Sequence, residues 1–333
     1  AGQGKVGIIL PDTKSSQRWA TDDPKFLKQA FDAAGVPVEI INAEGDKARF
    51  GKIADDFIAQ GVKVLMIVNL DSPTGKAALD KARAAGIKTI DYDRLTLNGG
   101  ADFYVSFNNY EVGVLQGQEL VKCMQAKGHK NPIIAEVNGS PTDNNATDFK
   151  AGYDSVLQPM YDDAIYRKGP DQSVPDWVNE EAGVIFAEML EQAPEIKGVV
   201  AANDGLANAV IGVLKKKGLN KIVPVTGQDA TVQGLQNILT GDQCMTVFKD
   251  IKPEAEAAAN LAIKLYNGET PQGTGLQKDV ESGAYVPSIM LTPKAITIKN
   301  INEPVAAGFA PAKQVCAGKY AELCKEHGIK VGK

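Results

Sequence analysis

The sequence predicts an α/β protein made of two halves, each with a parallel β-sheet covered by helices. Three observations predict this fold. Short apolar runs that suit buried strands alternate with amphipathic runs that suit helices along most of the 333 residues. The loops between these runs are short, which favours β-α-β units wound around a parallel sheet. After a long helical run at 110–127 the alternation starts again near Asn131, and 333 residues suffice for two domains of ordinary size.

The first half opens with an apolar strand at 5–10, which is rich in β-branched residues and ends at Pro11. A polar loop follows, and then a helix with Asp22 or Asp23 as its candidate N-cap. The rest of this half is predicted as strands at 38–42, 62–69, 87–92 and 101–107 and helices at 46–60 and 74–85. Right-handed crossovers would place the carboxyl ends of these strands along one edge of the sheet.

The second half opens with the helix at 110–127, which Asn108 and Asn109 precede as caps. Its further elements are predicted as strands at 133–137, 165–167, 198–202, 222–226 and 245–248 and helices at 146–157, 179–192, 205–217 and 232–239. We find no short tandem repeat, so the likeness between the halves is architectural.

A single helix at 253–266 and a strand-like run at 285–291 complete the pattern. One helix is too little for a third domain, so we expect the chain to return to the first half. Several crossovers between the halves would then form a hinge. The predicted domains are residues 1–107 with 250–287 and residues 108–249 with 288–333.

Composition excludes several classes of partner. Hydrophobic residues make up 44% of the chain and charged residues 23%, which is typical of a packed globular core. The net charge is −5, and no run of Lys and Arg is interleaved with aromatics, so we expect no nucleic acid partner. No apolar run approaches the ~20 residues of a membrane span. Residues 1–4 are small and polar and could be a mature terminus left after cleavage of a signal peptide.

The cysteines leave two interpretations open. Cys123, Cys244, Cys316 and Cys324 form no C-x-x-C pair and the chain has two His, so we expect no metal site. Within one helix the Cα atoms of Cys316 and Cys324 would be ~12 Å apart, but Gly318 can break the helix and allow a local disulfide. Cys123 ends a helix and Cys244 precedes a strand, so both belong to one edge of the fold and can also pair. Four free thiols remain the alternative.

Polar side chains suited to ligand binding follow the predicted strands. Planar amides, carboxylates and guanidinium groups present paired donors and acceptors that suit adjacent sugar hydroxyls, and a Trp ring offers a flat apolar face. Since open α/β sheets bind ligands beyond the carboxyl ends of their strands, these loops are the candidate site. Any single Asp or Asn among them could simply cap a helix. The candidates are Arg18, Trp19, Asp93, Arg94, Asp143, Asn144, Asn145, Trp177, Asn203, Asp204, Gln228, Asp229 and Lys249.

Other chemistries fit the sequence less well. The first strand is not followed by G-x-G-x-x-G, and neither a P-loop nor a G-x-S-x-G elbow is present. Asp143, Asp204 and Asp229 could supply a glycosidase acid and base, but neighbouring Lys and Arg would lower the pKa that the acid needs raised. We therefore expect a binding protein with no cofactor, and not an enzyme.

Several blocks in order resemble the periplasmic sugar-binding proteins of bacterial ABC importers, most closely the members that bind D-xylose or several sugars. The resemblance runs from about residue 5 to residue 302. The blocks are 14–19 (KSSQRW), 92–95 (YDRL), 139–146 (GSPTDNNA), 202–204 (AND), 226–230 (TGQDA) and 245–249 (MTVFK). The family implies a type I periplasmic binding protein fold, in which two α/β lobes joined by three crossovers close on one monosaccharide. It also implies an ABC permease as partner, an extracytoplasmic location, a monomer and, in that location, paired cysteines.

Carried over position by position, the resemblance implies a set of sugar contacts. D-Xylose is expected first, with glucose, arabinose, galactose or several sugars as alternatives. Asp93 and Gln228 are expected to support the contact residues from behind. The sugar-sensing core of a LacI-type regulator is the alternative function, but it would need an N-terminal helix-turn-helix before the first strand. The implied contacts are Arg18, Trp19, Arg94, Asp143, Asn145, Trp177, Asn203, Asp229 and Lys249.

Overall fold

The computed structural model describes residues 4–332, which divide into two compact units. Unit 1 consists of the chain up to Asn108, the segment Thr142–Asn145 and the segment Ile251–Leu291. Unit 2 consists of Asn109–Pro141, Ala146–Asp250 and the chain from Thr292 onward. The main chain crossings therefore follow Asn108, Asp250 and Leu291. The assignment of two sugar-binding lobes stays a prediction.

The strands and helices alternate along the chain. The strands are β1 (Val6–Leu10), β2 (Val38–Asn42), β3 (Val64–Ile67), β4 (Lys88–Tyr92), β5 (Phe103–Phe107), β6 (Ile133–Asn138), β7 (Arg167–Ser173), β8 (Ile196–Ala201), β9 (Thr246–Phe248), β10 (Gly275–Lys278), β11 (Tyr285–Leu291) and β12 (Lys294–Ile296). The α-helices are α1 (Asp22–Ala33), α2 (Lys47–Ala59), α3 (Ser72–Ala84), α4 (Asn109–Lys127), α5 (Asn144–Asp162), α6 (Asn179–Gln192), α7 (Asp204–Lys216), α8 (Val232–Thr240), α9 (Ile251–Tyr266), α10 (Glu303–Ala306), α11 (Ala312–Val315) and α12 (Ala321–Glu326). Short 3-10 turns occupy Gln17–Trp19, Pro175–Trp177, Ile298–Asn300 and Gly318–Tyr320.

Unit 1 contains a seven-stranded sheet in the order β10-β11-β5-β4-β3-β1-β2. β1 lies between β2 and β3, parallel to both, and all five of its residues are buried. Ile8 packs into a core with α1 and α9, whereas Ile9 packs into a second core with α2 and α3. Adjacent side chains of a strand point to opposite faces, so a continuous apolar run suits this doubly covered position.

Unit 2 contains a three-stranded parallel sheet in the order β7-β6-β8. Its helices α4 and α5 approach so closely that side chains are excluded at two positions. A Cβ on Gly113 would lie 1.9 Å from the carbonyl oxygen of Phe149, and one on Gly152 would lie 2.1 Å from that of Tyr110. Glycine at both positions is what allows the two backbones to meet.

The structure departs from the predicted strands in four places. The run 222–226 forms only a single bridge, from Val225 to Val199, and Pro224 within it has no N–H for a ladder. β9 pairs antiparallel with β12 and is not part of the unit 2 sheet. The hairpin of β10 and β11 is antiparallel at the edge of the unit 1 sheet. β7 also extends well past the predicted 165–167. The prediction missed this extension because the polar, half-exposed sequence of β7 carries no apolar signal.

The four cysteines form two disulfides in unit 2. The Cα atoms of Cys123 and Cys244 are 6.3 Å apart, and those of Cys316 and Cys324 are 5.8 Å apart. Gly318, in the left-handed region with a φ of +57°, begins the turn that separates α11 from α12 and brings the second pair together. The tail packs its apolar side chains, including Cys324, against α8. No free thiol remains.

Removing the Cys123–Cys244 disulfide is expected to cost more stability than removing Cys316–Cys324. The first pair is separated by 121 residues and the second by 8. In the chain-entropy description this difference in loop length corresponds to about 2 kcal/mol. Urea unfolding of the double variants Cys123→Ala/Cys244→Ala and Cys316→Ala/Cys324→Ala measures both losses under matched substitutions. Equal losses, or a larger loss for the short loop, would contradict the expectation.

Residues 4–332 contain neither a helix suited to cross a membrane nor a cluster of side chains suited to a metal ion. None of the helices there combines the length and the apolar character that crossing a bilayer requires. No group of three or more His, Cys, Asp or Glu side chains in the same range is arranged to hold a metal ion.

Candidate functional site

Arg18 follows β1 in a 3-10 turn and is only 5% exposed. Its Nε and one Nη2 proton are donated to the two carboxylate oxygens of Asp23, each at 2.7 Å. Nη1 donates to Asp93 at 2.8 Å, and Nη2 also donates to Glu254 at 2.7 Å. Four of the five guanidinium N–H groups are therefore donated to carboxylates. The fifth, on Nη1, has no acceptor among residues 4–332.

These residues form a buried charge cluster, which we call the Arg18 cluster and which consists of Arg18, Asp23, Tyr92, Asp93 and Glu254. The Tyr92 hydroxyl donates to Asp23. Burial raises the pKa of the Asp23 carboxyl although Arg18 lowers it. Burial also raises the pKa of Glu254 well above its usual range, again against the influence of Arg18, and Asp93 raises it further. One guanidinium thus faces three buried carboxyl groups.

Arg94 and the segment Thr142–Asn145 form a second polar group in unit 1. Nε of Arg94 lies 3.4 Å from a carboxylate oxygen of Asp143, and its Nη1 donates to the carbonyl oxygen of Asn69 at 3.1 Å. The Asn145 amide donates to the carbonyl oxygen of Asp93 at 3.0 Å. Asp93 also accepts from Arg18, so it joins this group to the Arg18 cluster.

The Trp19 ring lies close to both arginines. The guanidinium carbon of Arg18 is 4.2 Å from the ring centroid, and that of Arg94 is 5.7 Å away. Tyr92 meets the ring edge-on, with centroids 6.4 Å apart. The indole Nε1–H is buried and meets no acceptor within the described part of the chain. Trp19 and Arg18 therefore each carry a donor that the described residues leave unused.

Trp177 is the aromatic candidate of unit 2 and is 5% exposed. Its ring lies against Gly139, where a Cβ would come within 2.2 Å of the indole carbons. It meets Phe149 edge-on, with ring centroids 6.3 Å apart. Glycine at position 139 is thus required for the ring to lie where it does. The structure places this predicted site residue within the core of unit 2.

Asp229 and Lys249 form an ion pair in unit 2. Nζ of Lys249 lies 3.8 Å from a carboxylate oxygen of Asp229 and 5.7 Å from the centroid of the Phe149 ring. Phe149 therefore contacts both Trp177 and Lys249, which brings these predicted residues into one neighbourhood. Lys249 is only 6% exposed.

Asn203 and Gln228 line the neighbouring strand ends of unit 2. The Asn203 side chain accepts from the backbone N–H of Leu206 and so caps α7. The Gln228 amide donates to the carbonyl oxygen of Ala202 at 3.0 Å, while its Oε1 is buried with no donor among residues 4–332. Of the two side-chain amide oxygens, the Asn203 oxygen accepts a hydrogen bond and the Gln228 Oε1 does not.

Two further predicted site residues, Asp204 and Asn144, have roles in the local structure of unit 2 and α5. Asp204 accepts from Thr231, Gln243 and Thr246, and burial, with Asp229 adding to it, raises its pKa to about 7. It therefore holds the loop that carries Asp229. Asn144 is the first residue of α5.

Three of the loops hold non-glycine residues in the left-handed backbone region. The φ angles are +68° at Asp93, +56° at Trp177 and +104° at Asp229. Each such residue costs about 1–3 kcal/mol and persists only where its surroundings enforce it.

Sequence reasoning missed several residues of this region. Glu254 is the most informative of them, because its signal was visible. The buried residues of α9 recur at helical spacing, and Glu254 is the one charged member of an otherwise apolar stripe. The other missed residues are Ser15, Asn69, Tyr92, Tyr104 and Phe149, which carry no local sequence signal.

Comparisons with known proteins agree with this geometry. A family profile described as a periplasmic binding protein domain matches residues 6–270. The D-xylose-binding periplasmic protein of Escherichia coli is 34% identical over 307 residues, which cover 92% of this chain and 90% of that protein. The multiple sugar-binding periplasmic receptor ChvE of Rhizobium radiobacter is 33% identical over 95% of this chain and 93% of its own length.

Solved structures show the same fold. A carbohydrate transporter solute binding protein from Chloroflexus aurantiacus, in complex with D-glucose, superimposes with a TM-score of 0.84 at 29% identity, covering 94% of this chain and 98% of that one. An ABC transporter solute binding protein from Clostridium phytofermentans, with bound β-D-glucose, gives a TM-score of 0.84 at 25% identity, covering 93% and 99%. The predicted fold class is thereby confirmed.

Proposed function

Since the chain belongs to the periplasmic binding protein family, we propose that it binds a monosaccharide outside the cytoplasm and delivers it to the permease of an ABC importer. D-Xylose is the sugar proposed first. The likeness to the D-xylose-binding protein of Escherichia coli and to a multiple sugar-binding receptor supports this choice. Glucose, arabinose and galactose are the alternatives, and the glucose-bound relative from Chloroflexus aurantiacus supports the first of them.

The observation that carries the proposal is the polar group around Trp19 in unit 1. A guanidinium (Arg94), a carboxylate (Asp143) and an amide (Asn145) lie side by side next to an aromatic ring, and all are largely buried. Adjacent sugar hydroxyls each need a donor and an acceptor, which such planar groups supply in pairs. The C–H face of a pyranose suits the flat apolar ring.

Two of the contact residues in this proposal offer donors that the described chain leaves unused. Arg18 acts through its remaining Nη1–H and Trp19 through its ring and Nε1–H. Asp93 and Gln228 hold the contact residues in place. The residues proposed to touch the sugar are Arg18, Trp19, Arg94, Asp143, Asn145, Trp177, Asn203, Asp229 and Lys249.

We expect D-xylose to bind with a dissociation constant in the micromolar range or tighter, which corresponds to about −8 kcal/mol or below. At millimolar sugar, mass action would then stabilise the folded chain by about 4 kcal/mol and raise its melting temperature. Calorimetry and thermal melts with D-xylose, D-glucose, L-arabinose and D-galactose measure both quantities and rank the sugars.

L-Xylose is the matched control, because it has the same composition and solvation as D-xylose but mirrored hydroxyls. A site of fixed geometry should reject it. If no monosaccharide shifts the melting temperature at millimolar concentration, or if both enantiomers do so equally, the proposed function is wrong.

A further inference from the structure

We infer that Glu254 is a positioning residue for sugar binding: it fixes the Arg18 guanidinium so that the remaining Nη1–H faces the ligand. The inference rests on the proposed function and adds to it a residue that does not touch the sugar. Glu254 is supplied by α9, the segment that rejoins unit 1 after Asp250.

The geometry of the guanidinium assigns this role. The Asp23 carboxylate accepts two hydrogen bonds of 2.7 Å from Arg18. These bonds align the guanidinium with the carboxylate but still allow the two groups to tilt relative to one another. Glu254 accepts the second Nη2 proton at 2.7 Å from a different element. Acceptors from α1 and from α9 together fix the orientation, and one Nη1 proton is then directed to Asp93. The other Nη1 proton is the only one left for a ligand.

Burial makes this arrangement rigid. Asp23 and Glu254 are both 0% exposed, and Arg18 is 5% exposed, so water does not compete for their bonds. The small residues Ala255, Ala258 and Ala259 on the same face of α9 let the helix backbone approach the sheet. From this alanine stripe the Glu254 carboxyl reaches the guanidinium, with Nη2 at 2.7 Å.

Several charged groups face Glu254. Arg18 faces it from the 3-10 turn, Asp23 from α1, and Tyr92 and Asp93 from β4 and the loop that follows. Burial raises the pKa of Glu254 well above its usual range, Arg18 lowers it, and Asp93 raises it further. Glutamine keeps an acceptor oxygen for Arg18 on a side chain of the same shape.

Two substitutions separate positioning from mere space filling. Glu254→Gln retains the acceptor and the volume, so the affinity for D-xylose should stay within about threefold of the native value. Glu254→Met retains the volume and helix propensity but removes the acceptor, so affinity should fall by about tenfold or more. Glu256→Gln, on the exposed face of the same helix, is the matched control and should change nothing. Calorimetry below the melting temperature of each variant gives the affinities.

The outcomes are distinct. If Glu254→Met binds the sugar as tightly as the native protein, or if Glu254→Gln binds as weakly as Glu254→Met, the positioning role is wrong while the proposed function stands. If Glu254→Met does not fold, Glu254→Asp, which keeps the acid but withdraws the acceptor by one methylene, must show the weakened binding instead. If the native protein binds none of the sugars in the panel, the proposed function fails and the inference with it.

Discussion

Replacing Arg18 by alanine should lower the free energy of unfolding at neutral pH by about 3–5 kcal/mol, which is the usual cost of removing one partner from a buried ion pair. Arg18 bonds to Asp23, Asp93 and Glu254, all of them buried. Without it, each of these carboxylates loses a cationic partner. The proposed sugar site should be lost as well, because Asp93 loses the partner that holds it.

The loss should depend on pH in a defined direction. The folded-state pKa values of Asp23 and Glu254 are raised, so their contribution to stability is fully present below the unfolded pKa of a carboxyl and is lost as pH rises through the folded value. Removing Arg18 raises those folded values further. The destabilisation should therefore be smallest near pH 4 and grow towards neutral pH, which urea unfolding across this range measures.

Arg167 provides the matched control. It pairs with Glu195 at 3.6 Å on the surface, with both side chains about half exposed or more. Arg167→Ala should cost at most about 1 kcal/mol, with little dependence on pH. A loss for Arg18→Ala no larger than this would contradict the view that the cluster depends on Arg18.

Trp177→Ala should weaken sugar binding by about 30- to 1000-fold, or 2–4 kcal/mol for a central aromatic anchor. The structure also shows the ring buried against Gly139 and Phe149. A buried Trp replaced by Ala usually costs about 3–5 kcal/mol of stability. We therefore expect both quantities to fall, and calorimetry well below the melting temperature keeps them separate.

Trp177→Phe tests whether Trp177 contacts the sugar or only supports the packing of unit 2. It keeps a ring against Phe149 and so should recover most of the lost stability, while it lacks the indole N–H and the second ring. Trp19, in unit 1, keeps its fluorescence in either variant and still reports sugar binding, since the chain has only two Trp residues. Reduced stability with native affinity in Trp177→Ala would remove Trp177 from the proposed site.

Local patterns were sufficient wherever burial and helix periodicity act within a segment. The helix Asn179–Gln192 and the strand Tyr285–Leu291 begin and end at the predicted residues. The strand at 222–226 failed because an apolar run shows burial but not pairing, and the pairing partner is set by the rest of the sheet. The same limit applies to β7, where exposed edge residues are polar and carry no strand signal.

The sequence by itself determined the alternation of elements, the loops in which the candidate residues lie and the position of Glu254 in the apolar stripe of α9. Only the tertiary structure decided which of those residues meet. Arg18 bonds to carboxylates 75 and 236 residues away, and the identity of such partners depends on how the sheet is ordered and where the chain re-enters unit 1. Trp177 follows the same rule: it is buried against Gly139 and Phe149, which only folding brings against the ring. A hydrogen bond or a ring contact acts over a few ångströms in space, and separation along the chain places no limit on it.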